Sequence, residues 1–431
     1  MTEVGARPDD KALAEPKRRL SICITAYKDL TSNTRVVRQA QALAQRGHKV
    51  SVVSFLPPDP KLAAQVADGA FLATGIPHAG TVLRRSLALA HRISGSSFPQ
   101  PLHLLAAVGG SIGRLRCQQF ARQAVALCRD RRFDVVQAHF DKALIASDAI
   151  RRQCGGRLVF DAVELPFDSD ALPPGIEERV LRLAEIARER KIVRSASRWL
   201  SVSNALAQEI ARRFAVPAPL VVRNCRDAPR QPDDRLRRDL GLGSDDRLVL
   251  ALNSVRPGEG LEVVVDALRH LPDHVHLAVL GPGTDGPGGK QLRAAAIATG
   301  VAERLHFPRL QAASELIAYA SGADLGVIPR LPVTANMALS LPNRCFEMIA
   351  AGLPLVVSRV DEIAGLVRQY RIGAVFREDD PRDAASGIRQ SLDGATYGEL
   401  KRRVLAAAAE LSWEKEQIPY VEMIESLAVP A

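Results

Sequence analysis

Ser340-Leu341-Pro342-Asn343-Arg344-Cys345-Phe346-Glu347-Met348-Ile349-Ala350-Ala351-Gly352-Leu353-Pro354-Leu355-Val356-Val357-Ser358 reads as loop, short helix, glycine stop and buried strand. Ser340 is placed to cap the helix, Pro342 suits a first turn where its missing N–H costs nothing, and Gly352 suits the left-handed residue after the last turn. Helical stepping puts Arg344, Glu347, Met348 and Ala351 on one face, with Phe346, Ile349 and Ala350 on the other.

Arg344 stands in the first turn, against the positive end of the helix dipole, and is disfavoured there unless something negative is near. A bound phosphate reverses that penalty, because helix N-termini offer free N–H groups and Arg344 adds charge-assisted hydrogen bonds. Glu347, one turn deeper, could accept hydrogen bonds from vicinal hydroxyls, as an acidic residue does with ribose in dinucleotide folds. Together they describe a nucleotide-diphosphate clamp. An i, i+3 ion pair between the two on a solvated helix fits the local pattern equally well.

Outside this stretch the chain alternates strand and helix. Leu20 to Ala26, the helix Thr34 to Arg46 ended by Gly47, and His48 to Ser54 form a β-α-β unit that opens a parallel sheet. Phe133-Asp134-Val135-Val136-Gln137-Ala138-His139 is a strand that delivers His139 to its carboxyl end, where ligands bind in open α/β sheets. Arg157 to Asp161 is another, with Glu164 just beyond, and Trp199 to Ser203 and Leu220 to Asn224 follow. In the second half, Leu248 to Leu252 leads into Asn253-Ser254-Val255-Arg256-Pro257-Gly258-Glu259-Gly260, and Val275 to Gly281 into Gly281-Pro282-Gly283. Glycine loops before helices cradle phosphates. His270, His274 and His276 straddle a change from helix to strand, so they form no i, i+4 pair, and no metal is expected.

The 431 residues suit two domains. The alternation predicts an α/β protein of two doubly wound Rossmann-like domains around a cleft. We place a flexible tail at 1–18, an N-terminal domain at 19–226, a hinge at 227–246, a C-terminal domain at 247–410, and a closing helix at 411–431. There is no G-x-G-x-x-G, so nothing supports a nicotinamide cofactor.

A formal charge of +10 favours anionic partners, among them nucleotide sugars and acidic lipid surfaces. Aromatics make up only 4% and are not interleaved with basic runs, which argues against nucleic acid. Leu102 to Arg132 is arginine-rich and amphipathic, fitting either a solvated domain face or an anionic membrane. The six cysteines show no disulfide or C-x-x-C spacing and suit reduced thiols in a cytoplasmic protein. Residues 1–19 lack the apolar core of a leader, and no run is long enough for a membrane span, so the expected location is cytoplasmic, with a peripheral position at the inner face of the membrane left open.

The run from Pro342 to Pro354 resembles the donor-nucleotide signature of the GT-B glycosyltransferases, in particular glycosyltransferase family 4. The opening β-α-β unit, Asp134-Val135-Val136-Gln137-Ala138-His139, the Ser201-Val202-Ser203 cap and the Trp413-Glu414 segment resemble the same family. The resemblance implies that Glu347 binds the ribose hydroxyls, that Arg344 and Asn343 lie by the diphosphate, and that Gly281 and Gly283 face the nucleotide. It implies that His139 lies near sugar and acceptor, that Arg256 supplies a second cation, and that Asp161 or Glu164 orients a hydroxyl acceptor. It further implies that 19–226 is the acceptor-side domain, that 247–410 is the donor-nucleotide-binding domain, and that the helix at 411–431 crosses back to the first domain.

Three positions depart from the family pattern: Leu339 stands in place of a second glutamate, Val163 in place of a histidine, and Glu259 in place of a basic residue. The implied activity is a retaining, metal-independent glycosyltransferase that uses a nucleotide-diphosphate sugar and a glycan, lipid-linked glycan or small-molecule acceptor. A non-catalytic nucleotide- or partner-binding relative would account for the three departures together. A nucleotide-sugar epimerase would share the fold and clamp.

Overall fold

A computed structural model of the protein describes residues 18–55, 71–76, 116–166, 176–229, 231, 233–256 and 259–428. Two all-parallel sheets carry the architecture. The first runs in the order β3-β2-β1-β4-β5-β6-β7, from β1 (Ser21–Asp29), β2 (Lys49–Phe55), β3 (Leu72–Ile76), β4 (Val135–His139), β5 (Arg157–Asp161), β6 (Arg198–Ser201) and β7 (Leu220–Val221). The second runs β10-β9-β8-β11-β12-β13, from β8 (Arg247–Leu252), β9 (Val275–Leu280), β10 (Leu305–His306), β11 (Leu325–Ile328), β12 (Leu355–Ser358) and β13 (Gly373–Phe376). Both sheets reverse strand order beside a central strand, at β1/β4 and β8/β11. In doubly wound folds ligands bind outside the carboxyl ends of the strands at such a reversal.

Why these strands sit centrally is plain from their sequences. Val135-Val136-Gln137-Ala138-His139 is buried at every position, and Leu248 to Leu252 likewise, as expected of parallel strands covered on both faces. Ala26, His139 and Asp161 are register partners across β1, β4 and β5. Strand pairing alone therefore brings His139 and Asp161 side by side.

Several sequence expectations need correction. Ser340 does not cap the helix at Asn343–Ala350. It ends a preceding short helix, Ala335–Leu339, with its Oγ donating to the Asn336 carbonyl at 2.6 Å. Pro342 is extended, at φ −72° and ψ 145°, and is itself the N-cap rather than a first-turn residue. Met348 joins Cys345, Phe346, Ile349 and Ala350 in the core, so the buried face is wider than helical stepping alone suggests. Gly352, at φ +72°, does take the left-handed conformation. The segment placed as a hinge, 227–246, is not all linker: it contains the helix Arg235–Asp239, whose Leu236 is buried in the core of the second domain. Of the arginine-rich stretch 102–132, residues 102–115 lie outside the described residues, and 116–128 are helical. The expected tail also falls outside them, apart from Arg18.

The chain crosses back at its end. Trp413, Tyr420, Val421 and Ile424, on the helix Trp413–Glu425, pack with Ile22, Ile24, Val36 and Leu43 in the core of the first sheet. Glu425 meets both Arg46 and His48 at 3.1 Å. Among the described residues no helix is long and apolar enough to cross a membrane.

Candidate functional site

The carboxyl end of the first sheet holds a buried charge network. Asp161, fully buried, accepts four hydrogen bonds: from Arg35 Nε at 2.8 Å and Nη2 at 2.9 Å, from Gln39 Nε2 at 3.0 Å and from His139 Nδ1 at 3.1 Å. Burial opposes its ionisation, but the Arg35 charge and the His139 and Arg35 hydrogen bonds outweigh it and hold the carboxyl well below the usual carboxylate range. An ionised Asp161 can only accept, so His139 must carry its proton on Nδ1 and present an unprotonated Nε2. Burial lowers the histidine pKa against the pull of Asp161, which keeps the ring neutral near pH 7. Gln39 Oε1 in turn accepts from Gln137, and Gln137 Oε1 accepts from Tyr420 of the closing helix, each at 2.9 Å.

Arg35 also reaches the Val222 carbonyl at 2.8 Å and Asn224 Oδ1 at 3.1 Å. Asn224 then donates to Asn343 Oδ1 at 2.7 Å, at the start of the helix Asn343–Ala350. A continuous polar chain thus runs from His139 through Asp161, Arg35 and Asn224 to the second domain. A cavity of about 260 Å³ opens along it, lined among others by Lys28, His139, Glu164, Arg330 and Asn343. A smaller one of about 90 Å³ adjoins it, sharing Lys28, Phe140 and Glu164. Phe140, between His139 and this second cavity, has φ +65°, an uncommon conformation for a non-glycine residue.

Arg344 and Glu347 do not pair with each other. Arg344 Nη2 lies 3.2 Å from Glu259 Oε2, and Glu347 Oε1 lies 3.0 Å from Arg226 Nη2. Both are partly buried, at 17% and 14% side-chain exposure, so neither sits on a solvated face. Arg226, the last residue ahead of the hinge, was not singled out by sequence reasoning, and it also bonds Thr34 Oγ1 at 2.8 Å. Glu259 has a second cation, Arg256, at 3.8 Å. Arg256 itself is 71% exposed and does not line the larger cavity.

Gly281 and Gly283 lie against the loop after β8. A Cβ on Gly281 would stand 1.9 Å from the Asn253 carbonyl oxygen, and one on Gly283 would stand 2.7 Å from that of Val255. Backbone contact between the two loops therefore demands glycine at both positions, and neither lines the larger cavity. Of the two carboxylates expected on the acceptor side, Glu164 lines both cavities, whereas Asp161 is enclosed behind His139. Leu339, where the family pattern has a glutamate, packs against the first-domain core, and its carbonyl accepts from Ser203 Oγ.

Of the three histidines considered for a metal, His276 instead bonds through Nδ1 to His306 Nε2 at 2.9 Å. Among the described residues no three His, Cys, Asp or Glu side chains are grouped to hold a metal ion. Besides Arg226, the sequence reading missed Arg330, Arg35 and Lys28. Only the position of Pro329-Arg330 just after β11 could have drawn attention to Arg330.

Comparison with known proteins bears on this geometry. Residues 31–225 match the family described as glycosyl transferase 4-like domain, and residues 232–410 match glycosyl transferases group 1. D-inositol 3-phosphate glycosyltransferase of Acidothermus cellulolyticus is 28% identical over 193 residues, 42% of this chain and 41% of that protein. D-inositol 3-phosphate glycosyltransferase 2 of Catenulispora acidiphila is 25% identical over 252 residues, 53% of this chain and 56% of that protein. The chain thus spans about half the length of these curated relatives.

Among solved structures, sucrose-phosphate synthase of Thermosynechococcus elongatus superposes with a TM-score of 0.71 at 17% identity, covering 95% of this chain and 99% of that one. HepE of Anabaena in complex with UDP gives 0.68 at 14% identity, covering 94% and 100%. These likenesses establish the GT-B fold. The first sheet thus falls within the glycosyl transferase 4-like match and the second within the glycosyl transferases group 1 match, so the chain pairs a glycosyl transferase 4-like domain with a glycosyl transferases group 1 domain.

Proposed function

We propose that the protein transfers a sugar from a nucleotide-diphosphate sugar to a hydroxyl acceptor, with retention of configuration and without a metal ion. The observation that carries this reading is the cavity in which neutral His139, from the first sheet, faces Asn343 at the start of the clamp helix, from the second. Breaking the sugar–phosphate bond leaves negative charge on the diphosphate and positive character on the sugar. Arg344 and the free N–H groups of its helix stabilise the former, with Arg256 adding charge from the neighbouring loop. Glu347 takes the ribose hydroxyls once Arg226 gives way. His139, its tautomer fixed by Asp161, accepts a hydrogen bond through Nε2 and positions sugar and acceptor.

Uridine is the base we favour, because HepE, of the same fold, was solved with UDP and with UDP-glucose. The relatives' names favour a polyol phosphate as acceptor. One feature supports a second reading, a nucleotide-binding relative without turnover: both clamp residues already have ionic partners, Glu259 and Arg226.

Thermal denaturation with UDP, GDP, ADP and CMP, on the wild type and on Glu347→Ala, tests the donor site. A ligand at 100 times its Kd stabilises by about 2.7 kcal/mol. UDP is expected to raise the wild-type Tm and to leave the variant unchanged, and release of UDP from UDP-sugars in the presence of acceptor separates enzyme from binder. No response to any of the four nucleotides would remove the donor site.

A further inference from the structure

Arg330 follows β11 and faces the larger cavity. Two arginines among the described residues are at least nine-tenths buried, Arg35 at 4% exposure and Arg330 at 8%. Arg35 has Asp161. Arg330 has no carboxylate within 4.0 Å among the described residues. A guanidinium carries five N–H donors in a planar fork. Nε of Arg330 donates to the Met337 carbonyl at 2.8 Å and Nη2 to Ser340 Oγ at 3.2 Å, which fixes the plane of the group. The Nη1 hydrogens and one on Nη2 then have no protein acceptor among the described residues.

Burying a cation without a partner is costly, and proteins retain such a charge where something else supplies the counter-ion. The walls of this cavity supply no ion pair: Glu164 on the wall and Glu259 beyond it act on Arg330 only from farther than 4.0 Å, each raising its pKa without meeting its donors. Lys28, on the same lining, also lacks an acidic partner among the described residues, the charge of Arg35 is taken by Asp161, and Glu164 is the one carboxylate that lines the space. Arg344, with Glu259 against it, lies near enough to depress the Arg330 pKa after burial itself, yet Arg330 stays at about 10 and is therefore charged at neutral pH.

We infer that Arg330 anchors an oxyanion, a phosphate or carboxylate, carried by the acceptor or the transferred sugar, at a subsite separate from the diphosphate site at Arg344. The inference rests on the transferase reading for its ligand and on the unpaired guanidinium for its place. The two exposed Nη edges form the fork that a tetrahedral or planar oxyanion meets in two parallel hydrogen bonds.

Thermal-shift titrations with inorganic phosphate, and separately with glucuronate, test it on wild type, Arg330→Gln and Arg344→Gln. Chloride at equal ionic strength is the control, and each titration is run with and without saturating UDP. Phosphate is expected to stabilise the wild type and Arg344→Gln beyond chloride, with or without UDP. Arg330→Gln should move the phosphate midpoint up by about tenfold or more, and without anion it should melt no lower than wild type, since an uncompensated buried charge is gone. A stronger response to glucuronate assigns the group to a sugar acid, and a stronger response to phosphate assigns it to a phosphorylated acceptor.

The inference falls if the wild type shows no anion response, if Arg330→Gln keeps the wild-type midpoint, or if UDP and Arg344→Gln both abolish the response. Should Arg330→Gln fail to fold, Arg330→Lys keeps the charge but loses the fork, and an unchanged midpoint there overturns the inference as well. If UDP does not bind while the anion response depends on Arg330, the donor reading fails and the anion site stands.

Discussion

The guanidinium of Arg344 lies 3.2 Å from the carboxylate of Glu259, an acid held on the loop just ahead of the helix Leu261–Ala267. A diphosphate approaching Arg344 therefore competes with a carboxylate already in place, and its own charge is repelled by that carboxylate. Glu259→Gln keeps the shape and removes the charge. We expect it to tighten UDP binding by about tenfold, or about 1.4 kcal/mol, as read by titration calorimetry. Weaker binding in the variant would mean that Glu259 serves to aim Arg344, and the competition would be refuted.

Asp161 is the hub of the first-domain network, and its loss strands Arg35 and leaves Gln39 and His139 without an acceptor. Breaking a buried pair by removing one partner typically costs about 3–5 kcal/mol. Asp161→Asn should lower the urea midpoint accordingly, while Glu164→Gln, on the cavity wall, should leave it nearly unmoved. Equal midpoints for Asp161→Asn and wild type would contradict the assignment.

Acid should destabilise the protein in two stages. His48 and His139 are buried with lowered pKa values, chiefly through burial, so the unfolded chain takes up protons first as pH falls below about 6.5. Each then removes at most about 1.4 kcal/mol per pH unit until its folded value is reached. Asp161 is held low in the folded state, so its contribution is full above about pH 4 and is lost as pH falls further. Unfolding free energy from urea melts should be level from pH 7 to 8, decline below that, and decline less steeply in His139→Asn. A profile flat to pH 5 would show that these histidines take up protons in the folded protein as readily as in the unfolded chain, and would refute the lowered values.

Gly281→Ala is expected to be severe for a substitution of one methyl group. The added carbon would lie 1.9 Å from the Asn253 carbonyl oxygen, so backbone on both loops has to move. The expected cost is about 2 kcal/mol or more, measured as a Tm loss. Gly365→Ala, where a Cβ meets nothing, is the control and should be neutral or slightly stabilising.

Much of the architecture is legible in the sequence because parallel strands covered on both sides are nearly continuous apolar runs, and the strands from Val135 and Leu248 are of that kind. The clamp helix is legible for the same local reasons, though not its cap: Ser340 is taken by the preceding helix and by Arg330, which propensity does not reveal. What local pattern cannot carry is pairing over distance. Arg344 and Glu259 are 85 residues apart, and Arg226 and Glu347 are 121 apart. The i, i+3 pairing that the sequence offered was the nearest alternative, and tertiary partners displaced it. Beyond its place just after a strand, Arg330 carries no signal, since its isolation from carboxylates exists only once the chain is folded. Strand β3 was missed because Leu72–Ile76 is short, contains a glycine and is mostly half-exposed.

The helix Trp413–Glu425 completes the core of a domain whose other parts were made some two hundred residues earlier in the chain, with Tyr420 tied to Gln137 and so to the Asp161 network. During synthesis the first sheet must therefore wait, with Ile22, Val36 and Leu43 uncovered, until the second domain has been made and the last helix has left the ribosome. The order of manufacture and the order of assembly are opposed. A nascent chain stalled before Trp413 would expose apolar surface in its first domain, the natural target of a chaperone, even where its second domain is already folded.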